Sequence, residues 1–442
     1  MSIRLSDHFS YGRLIRFTLP SVAMMVFSSV YGVVDGFFVS NYVGKTPFAA
    51  VNFIMPFLMV LGTFGFMFGT GGSALVSKTL GEGDEKKARS LFSLITLVSF
   101  LLGVAVAALG LVFLRPVAAL LGAEGELLEY CVTYGNIILL ALPFFMLQME
   151  FQSFFIATER PKLGLYSTVF AGVANMVLDY VLVGLLPLGI VGAALATAIS
   201  QLVGGVFPLV YFFLDRKGLL YFSRPRFDLK ALVKTCTNGS SELMSNVSMS
   251  LVGMLYNVQL MQYAGENGVA AYGVLMYLSM IFIGIFIGYS LGTAPVFSYH
   301  FGAENRTELK SLLKKSVVIV GILSLGMLIL GEILARPLSL LFVGYDPTLL
   351  ALTHRGFVIF SFSFPFAGFA IFASGFFTAL NNGPVSAVIS FLRTLVFQIG
   401  AILLLPLVFG VDGIWYSIVL AEAMATLVSL GFLAVLKKGY GY

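Results

Sequence analysis

The sequence predicts an all-α integral membrane protein whose twelve transmembrane helices form two pseudo-symmetric six-helix lobes. Three observations carry this. Of 442 residues, 59% are hydrophobic and only 11% charged, far from the composition of an ordinary soluble domain. Apolar stretches of the roughly 20 residues that a helix needs to cross a bilayer recur twelve times. The chain also repeats itself at an offset of 221 residues, which sets Gly32 on Gly253, Tyr42 on Tyr263, Gly44 on Gly265, Arg115-Pro116 on Arg336-Pro337, Gly189 on Gly410 and Gly192 on Gly413. Six spans return the chain to its starting side, so the two halves have the same orientation. That is the parallel-repeat plan of many secondary transporters.

The elements follow in order. Span one, 14–40, has Arg4 and Arg13 before it and Arg16 at its inner end, contains Pro20, and is too long for a signal-peptide core. Span two, 49–77, ends at Lys78, and Lys86, Lys87 and Arg89 precede span three, 91–114. Arg160 and Lys162 separate span four, 127–157, from span five, 163–186, and span six, 190–214, runs into the basic stretch "DRKGLLYFSRPRFDLK". That stretch joins the halves, with a surface helix expected after Pro225. Spans seven to twelve, 236–263, 268–298, 312–335, 350–379, 385–408 and 411–436, repeat the plan, with Arg306 and Lys310 before the ninth, Lys314 and Lys315 at its inner end, and Lys437 and Lys438 after the twelfth. The expected organisation is an N-lobe, 1–214, a cytoplasmic linker, 215–234, and a C-lobe, 235–442. With the N-terminus inside, 21 of the 26 Lys and Arg border the inner face, while Lys45, Arg115, Arg336 and Arg355 lie outside and Arg393 within a span. The positive-inside rule then puts both termini in the cytoplasm.

Several function classes drop out. The net charge of +5 needs no nucleic acid, because the cations border the inner leaflet. Cys131 and Cys236 belong near opposite faces and are not expected to pair; His8, His300 and His354 are scattered near helix ends and expected on the solvated surface. The glycine cluster in "FGTGGSALVSKTLGEGDEKKAR" has no following Gly-Lys-Ser/Thr and runs through a span, which excludes a phosphate-binding loop. No Ser-His-Asp, Cys-His or paired zinc-ligand pattern stands out, so the chain is not expected to be an enzyme. The Asn-X-Ser/Thr matches at Asn238, Asn246 and Asn305 fall inside spans or on the cytoplasmic side and are chance.

What remains is carboxylates within spans. An acid at the bilayer centre costs at least a few kcal/mol and marks ion or substrate pathways by default. In "AGVANMVLDYVLVGLL", Asn175 and Asp179 stand four apart on one helix face, as Tyr31 and Asp35 do in the first span. Thr197 in the sixth span adds a hydroxyl. Carboxylate, amide, phenol and hydroxyl oxygens suit a proton or a hard monovalent cation such as sodium. The repeat supplies a control: Asp35 corresponds to Tyr256 and Asp179 to Gly400 or nearby, so both acids are private to the N-lobe. Glu150, with Gln148 and Gln152 beside it, and Glu242, at the start of the seventh helix, are supporting polar or cavity candidates. Arg393 is expected to pair with Glu422, and Glu332 to be solvated near the outer end of its helix.

These residues resemble the multidrug and toxic compound extrusion (MATE) family, in its prokaryotic DinF/MepA-like branch. The resemblance spans the chain: two six-helix repeats, Pro20, "YGVVD" with Tyr31 and Asp35, "NMVLD" with Asn175 and Asp179, Thr197, and "NGSSELMSNVSMSLVGMLYNVQL" at 238–260. It implies a cation site at Asp35, Asn175, Asp179 and Thr197, bending of the first helix at Pro20, and no cofactor beyond a coupling sodium ion or proton. Glu242 matches one member of a C-lobe acidic cluster found in another branch, but "FVIFSFSFPFAGFAIF" carries no carboxylate to complete it. The implied activity is cation-coupled export of cationic amphipathic compounds across the cytoplasmic membrane of a prokaryote, by a monomer that meets small organic substrates and membrane lipids. The alternatives are a lipid-linked saccharide flippase of the same superfamily and a non-transporting receptor or scaffold.

Overall fold

A lipid interior satisfies no backbone polar group, so the apolar runs fold as helices that bond internally. The structure, a computed structural model, describes residues 3–442. In chain order the helices are α1 (Tyr11–Phe38, continued by a π turn Val39–Val43), α2 (Lys45–Gly81), α3 (Glu85–Leu120), α4 (Gly125–Ala157), α5 (Pro161–Asp179, continued by a π stretch Tyr180–Leu185) and α6 (Gly189–Leu214). The continuous stretch Leu229–Gly302 breaks at Gly265 into α7 (229–264) and α8 (266–302). Then come α9 (Arg306–Val343); α10, in two parts, Pro347–Ser361 and Phe364–Ala379, bent by 50°; α11 (Gly383–Phe391, a π turn Leu392–Val396, and Phe397–Leu404); and α12 (Val411–Tyr440). These are twelve membrane crossings, and the chain is a multi-pass membrane protein.

The backbone repeats as the sequence does. Residues with φ near +60° to +107° fall in register: Gly44 with Gly265, Gly83 with Glu304, Glu159 with Asn381, and Gly189 with Gly410. Gly265 breaks α7 from α8 where its counterpart Gly44 separates α1 from α2; a residue with a Cβ is disfavoured in that region. Helix starts repeat too. Asp84 accepts from Lys87 N at 2.9 Å and Asn305, its counterpart, from Glu308 N at 3.1 Å, each capping the helix it precedes.

The connecting segment departs from expectation. No separate surface helix follows Pro225: the helix that begins at Leu229 is the start of α7 itself. Residues up to Asp228 run as an extended strap along α3: Ser223 N donates to Ser93 Oγ (2.9 Å), Arg226 N to Ser90 Oγ (3.0 Å), and Phe222 stacks on Phe92 at 5.1 Å. Helix α7 starts at Leu229, inside the stretch 215–234 read as linker, because Asp228 caps it through Ala231 N. At the head of the strap Asp215 accepts from Tyr211 Oη and pairs with Arg160, both at 2.7 Å, which holds its carboxyl below the usual range.

The halves meet along three helix pairs, α1 with α8, α2 with α7 and α2 with α8. Glycines set the approach. A Cβ on Gly288 would stand 2.6 Å from Val22 Cα, and one on Gly71 would stand 2.6 Å from Gly239 N and run into the Thr235 carbonyl. Gly239 faces the Met67 carbonyl, Gly81 that of Tyr299, and Gly302 that of Lys78, in each case with no room for a side chain. All these contacts lie toward the end of the bundle that carries both termini, where Leu5, Phe9 and Tyr442 share one buried cluster. The protein is closed at that end.

Three smaller expectations change. His300 is buried rather than solvated, in reach of the Leu5 and Asp7 backbone and of Glu308. Glu332 accepts from Ser361 Oγ and is half-buried, since the bend in α10 brings Ser361 onto it. Arg393 pairs with Glu422 as expected, Nε to Oε2 at 2.7 Å.

Candidate ion-coupling site in the N-terminal lobe

Gly172 positions the site. It faces Phe27 and Tyr31 of α1, with only 2.6 Å between its would-be Cβ and the Phe27 ring. Without a side chain there, α1 and α5 cross closely. Asn175 and Asp179 lie three and seven residues on, the same face one and two turns further along. Asp35 is one turn beyond Tyr31, so the crossing that seats Tyr31 on Gly172 also brings Asp35 to Asp179. Asp35 is in direct electrostatic reach of Asp179, Asn175 and Thr197. Both helices leave the crossing through π stretches, Val39–Val43 and Tyr180–Leu185, the kind of helix irregularity that recurs at functional sites.

The atoms in this cluster are buried and unsatisfied. Asp179 is 0% and Asn175 1% exposed. Neither carboxylate oxygen of Asp179, neither amide atom of Asn175, nor Asp35 Oδ1 has a hydrogen-bond partner among the described residues. Thr197 Oγ1 donates back to the Ala193 carbonyl at 3.1 Å, which leaves its lone pairs free toward the acids. Buried polar atoms are nearly always paired in folded proteins. Five orphans in one place fit a site built around a cation or a proton. No three His, Cys, Asp or Glu side chains cluster among the described residues; the donor set is oxygen-rich and suits a hard ion rather than a transition metal.

One participant escaped the sequence reading. Tyr134 of α4 is 1% exposed and faces Asp35, Asp179 and Thr197. As a phenol in an apolar span it was visible, but no spacing rule sets the far turn of α4 against α1 and α5. Tyr134 and Thr197 stand nine and eight residues inside their helices, roughly 12–14 Å from the helix ends, in the half of the bundle away from the termini.

The other candidates lie elsewhere. Glu150 is 16 residues beyond Tyr134 along α4, about 24 Å away; it is buried against α3, accepting from Thr96 Oγ1 at 2.8 Å. Gln152 donates to Thr168 Oγ1 at 3.3 Å. Glu242 is not at a helix start: it lies 13 residues into α7, about 20 Å along it, near Arg393. Tyr256, the counterpart of Asp35, donates to Gln398 at 2.7 Å and stacks on Tyr272 with centroids 5.2 Å apart. Where the N-lobe holds orphaned oxygens, the C-lobe holds a satisfied phenol.

Two six-helix repeats closed along a glycine seam, with a cluster of buried oxygens in one lobe, define a membrane transporter of the two-lobe secondary type. The MatE family model matches residues 20–181 and 243–403. The chain belongs to the MatE family. It is 26% identical over 418 residues to the multidrug export protein MepA of Staphylococcus haemolyticus, covering 94% of this chain and 92% of that one, and 24% identical over 420 residues to MepA of Staphylococcus aureus, with the same coverage. The fold is similar to the crystal structure of MATE in complex with MaL6, with a TM-score of 0.91 at 22% identity over 98% of each chain. It matches a MOP superfamily transporter from Pyrococcus furiosus equally well, again 0.91 at 22% identity over 98% of each.

Proposed function

We propose that this chain is a sodium- or proton-coupled antiporter that exports cationic amphipathic drugs or similar toxic organic compounds across the cytoplasmic membrane of a prokaryote, with both termini inside. The observation that carries the coupling is the set of orphaned atoms on Asp35, Asn175 and Asp179. The similarity to proteins named multidrug export protein supports the substrate class. A pyrophosphate-linked lipid would call for several cavity cations, whereas Arg393, the one arginine deep in a span, is already paired with Glu422.

Helix α1 links the ion to the seam. Its far half carries Tyr31 and Asp35, its near half lies on Gly288 and Gly292 of α8 through Val22 and Thr18, and Pro20 stands between Thr18 and Val22. Proline cannot donate the backbone hydrogen bond of its turn, so the helix bends there at lower cost. An ion bound at Asp35 and Asp179 fixes the far half of α1, and a drug bound between the lobes favours a different arrangement. Each shifts the equilibrium only through its differential affinity for the two states.

The test is ethidium efflux with a sodium gradient and a pH gradient imposed separately. One gradient must accelerate efflux; if neither does, the antiport reading fails. Removing a neutral oxygen from the ion site should cost about 1–3 kcal/mol of ion affinity. Asn175→Ala and Thr197→Ala should therefore raise the ion concentration for half-maximal efflux roughly tenfold or more, while Tyr256→Phe leaves it in place. The reverse pattern would move the coupling site to the C-lobe. Orientation has its own check: Tyr345→Cys, at an exposed turn, should react with an impermeant maleimide added to intact cells, and labelling confined to everted vesicles would invert the topology.

A further inference from the structure

We propose that Arg393 sets the charge of the substrate that the C-terminal lobe accepts, by cancelling one of two carboxylates so that a monovalent organic cation is matched and a divalent one is not. This rests on the reading that the chain exports cations. Gly239 closes α7 onto the Met67 carbonyl of α2 with no room for a side chain. Glu242 lies three residues on, on the same face of α7, and is half-buried. Its carboxylate therefore stands one turn beyond the point where the lobes touch.

Behind it, the π turn of α11 presents Arg393, 14% exposed, whose Nε donates to Glu422 Oε2 at 2.7 Å; Glu422 is 7% exposed. Glu242 is within electrostatic reach of the same guanidinium. A guanidinium is not deprotonated in a protein. Two carboxylates share one fixed positive charge, leaving a single uncompensated negative charge at a half-buried position facing the lobe boundary. Replacing a buried ion pair by apolar residues is often neutral or stabilising, so packing alone does not call for this pair. Counting charge does: without Arg393 the lobe would present two carboxylates, and without Glu422 none uncompensated.

Ethidium and propidium share a phenanthridinium ring and carry one and two positive charges, which makes them matched probes. Binding of each to the purified full-length protein is read by fluorescence anisotropy. Arg393→Gln should shift the ratio of the two dissociation constants about tenfold in favour of propidium. Glu422→Gln, which leaves Arg393 to Glu242, should weaken both dyes by a similar factor. The double variant Arg393→Gln/Glu422→Gln should return to the wild-type ratio. An unchanged ratio in Arg393→Gln, or a shift that persists in the double variant, overturns the assignment; if Arg393→Gln does not accumulate, unchanged binding by Glu422→Gln overturns it. Wild-type protein that neither binds nor exports ethidium would instead refute the export reading itself.

Discussion

Replacing Asp179 by Asn abolishes ethidium efflux while the protein remains in the membrane at near wild-type abundance, and Asp35→Asn does the same. The amide keeps the side chain's volume and much of its hydrogen bonding but carries no titratable charge. Asp179 is fully buried, with no partner outside the acidic cluster for either oxygen among the described residues, so the amide costs the surrounding fold little hydrogen bonding. Neutralising one of two adjacent buried acids relieves a desolvation cost of several kcal/mol rather than adding one. Function and stability thus separate: efflux assayed beside membrane abundance should show loss of the first with the second retained. If both variants pump like the parent, the ion site is elsewhere. If both vanish from the membrane, the acids serve the fold.

Gly239→Val should also stop transport, for a mechanical reason. An added Cβ at residue 239 would run into the Met67 carbonyl of α2, which is backbone and cannot rotate away as a side-chain tip could. The lobes then cannot close at the end bearing the termini. Gly71, directly opposite, faces Gly239 N at 2.6 Å through its own would-be Cβ, so Gly71→Val should act alike. Both variants should hold the transporter open at that end, and a cysteine in place of Ser240, one residue from the contact, should become reactive from the cytoplasmic face when it is protected in the parent. A Gly239→Val protein that pumps normally and keeps residue 240 protected would mean that this seam does not close during the cycle.

Much of this was legible because membrane spans and repeats are written in periodicity and offset. The twelve spans follow from apolar length, and the gap between the runs 236–263 and 268–298 marked the place where Gly265 breaks Leu229–Gly302; the match of Gly44 to Gly265 reads in sequence only as close helix packing. The acids and their partners Asn175 and Thr197 were visible as polar residues at helical spacing. Tyr134 was not assigned because its role depends on which turn of α4 faces α5, and no spacing rule supplies that. Glu242 looked like a helix-start residue because α7 extends far past the membrane toward the linker, beyond the apolar run that marked it. The helix expected after Pro225 is the start of α7 and not a separate element, and the strap before it could not be read because its anchors, Ser90, Ser93 and Phe92, lie some 130 residues away in the chain.

The most direct measurement of the coupling is ion release from purified protein on saturation with ethidium, followed as proton release in weakly buffered solution and as displacement of bound radioactive sodium. Wild type should release one of the two ions as the drug binds, and Asp179→Asn should bind ethidium while releasing neither. Ion release undiminished in Asp179→Asn, or ethidium binding that displaces no ion from wild type, would contradict the antiport assignment.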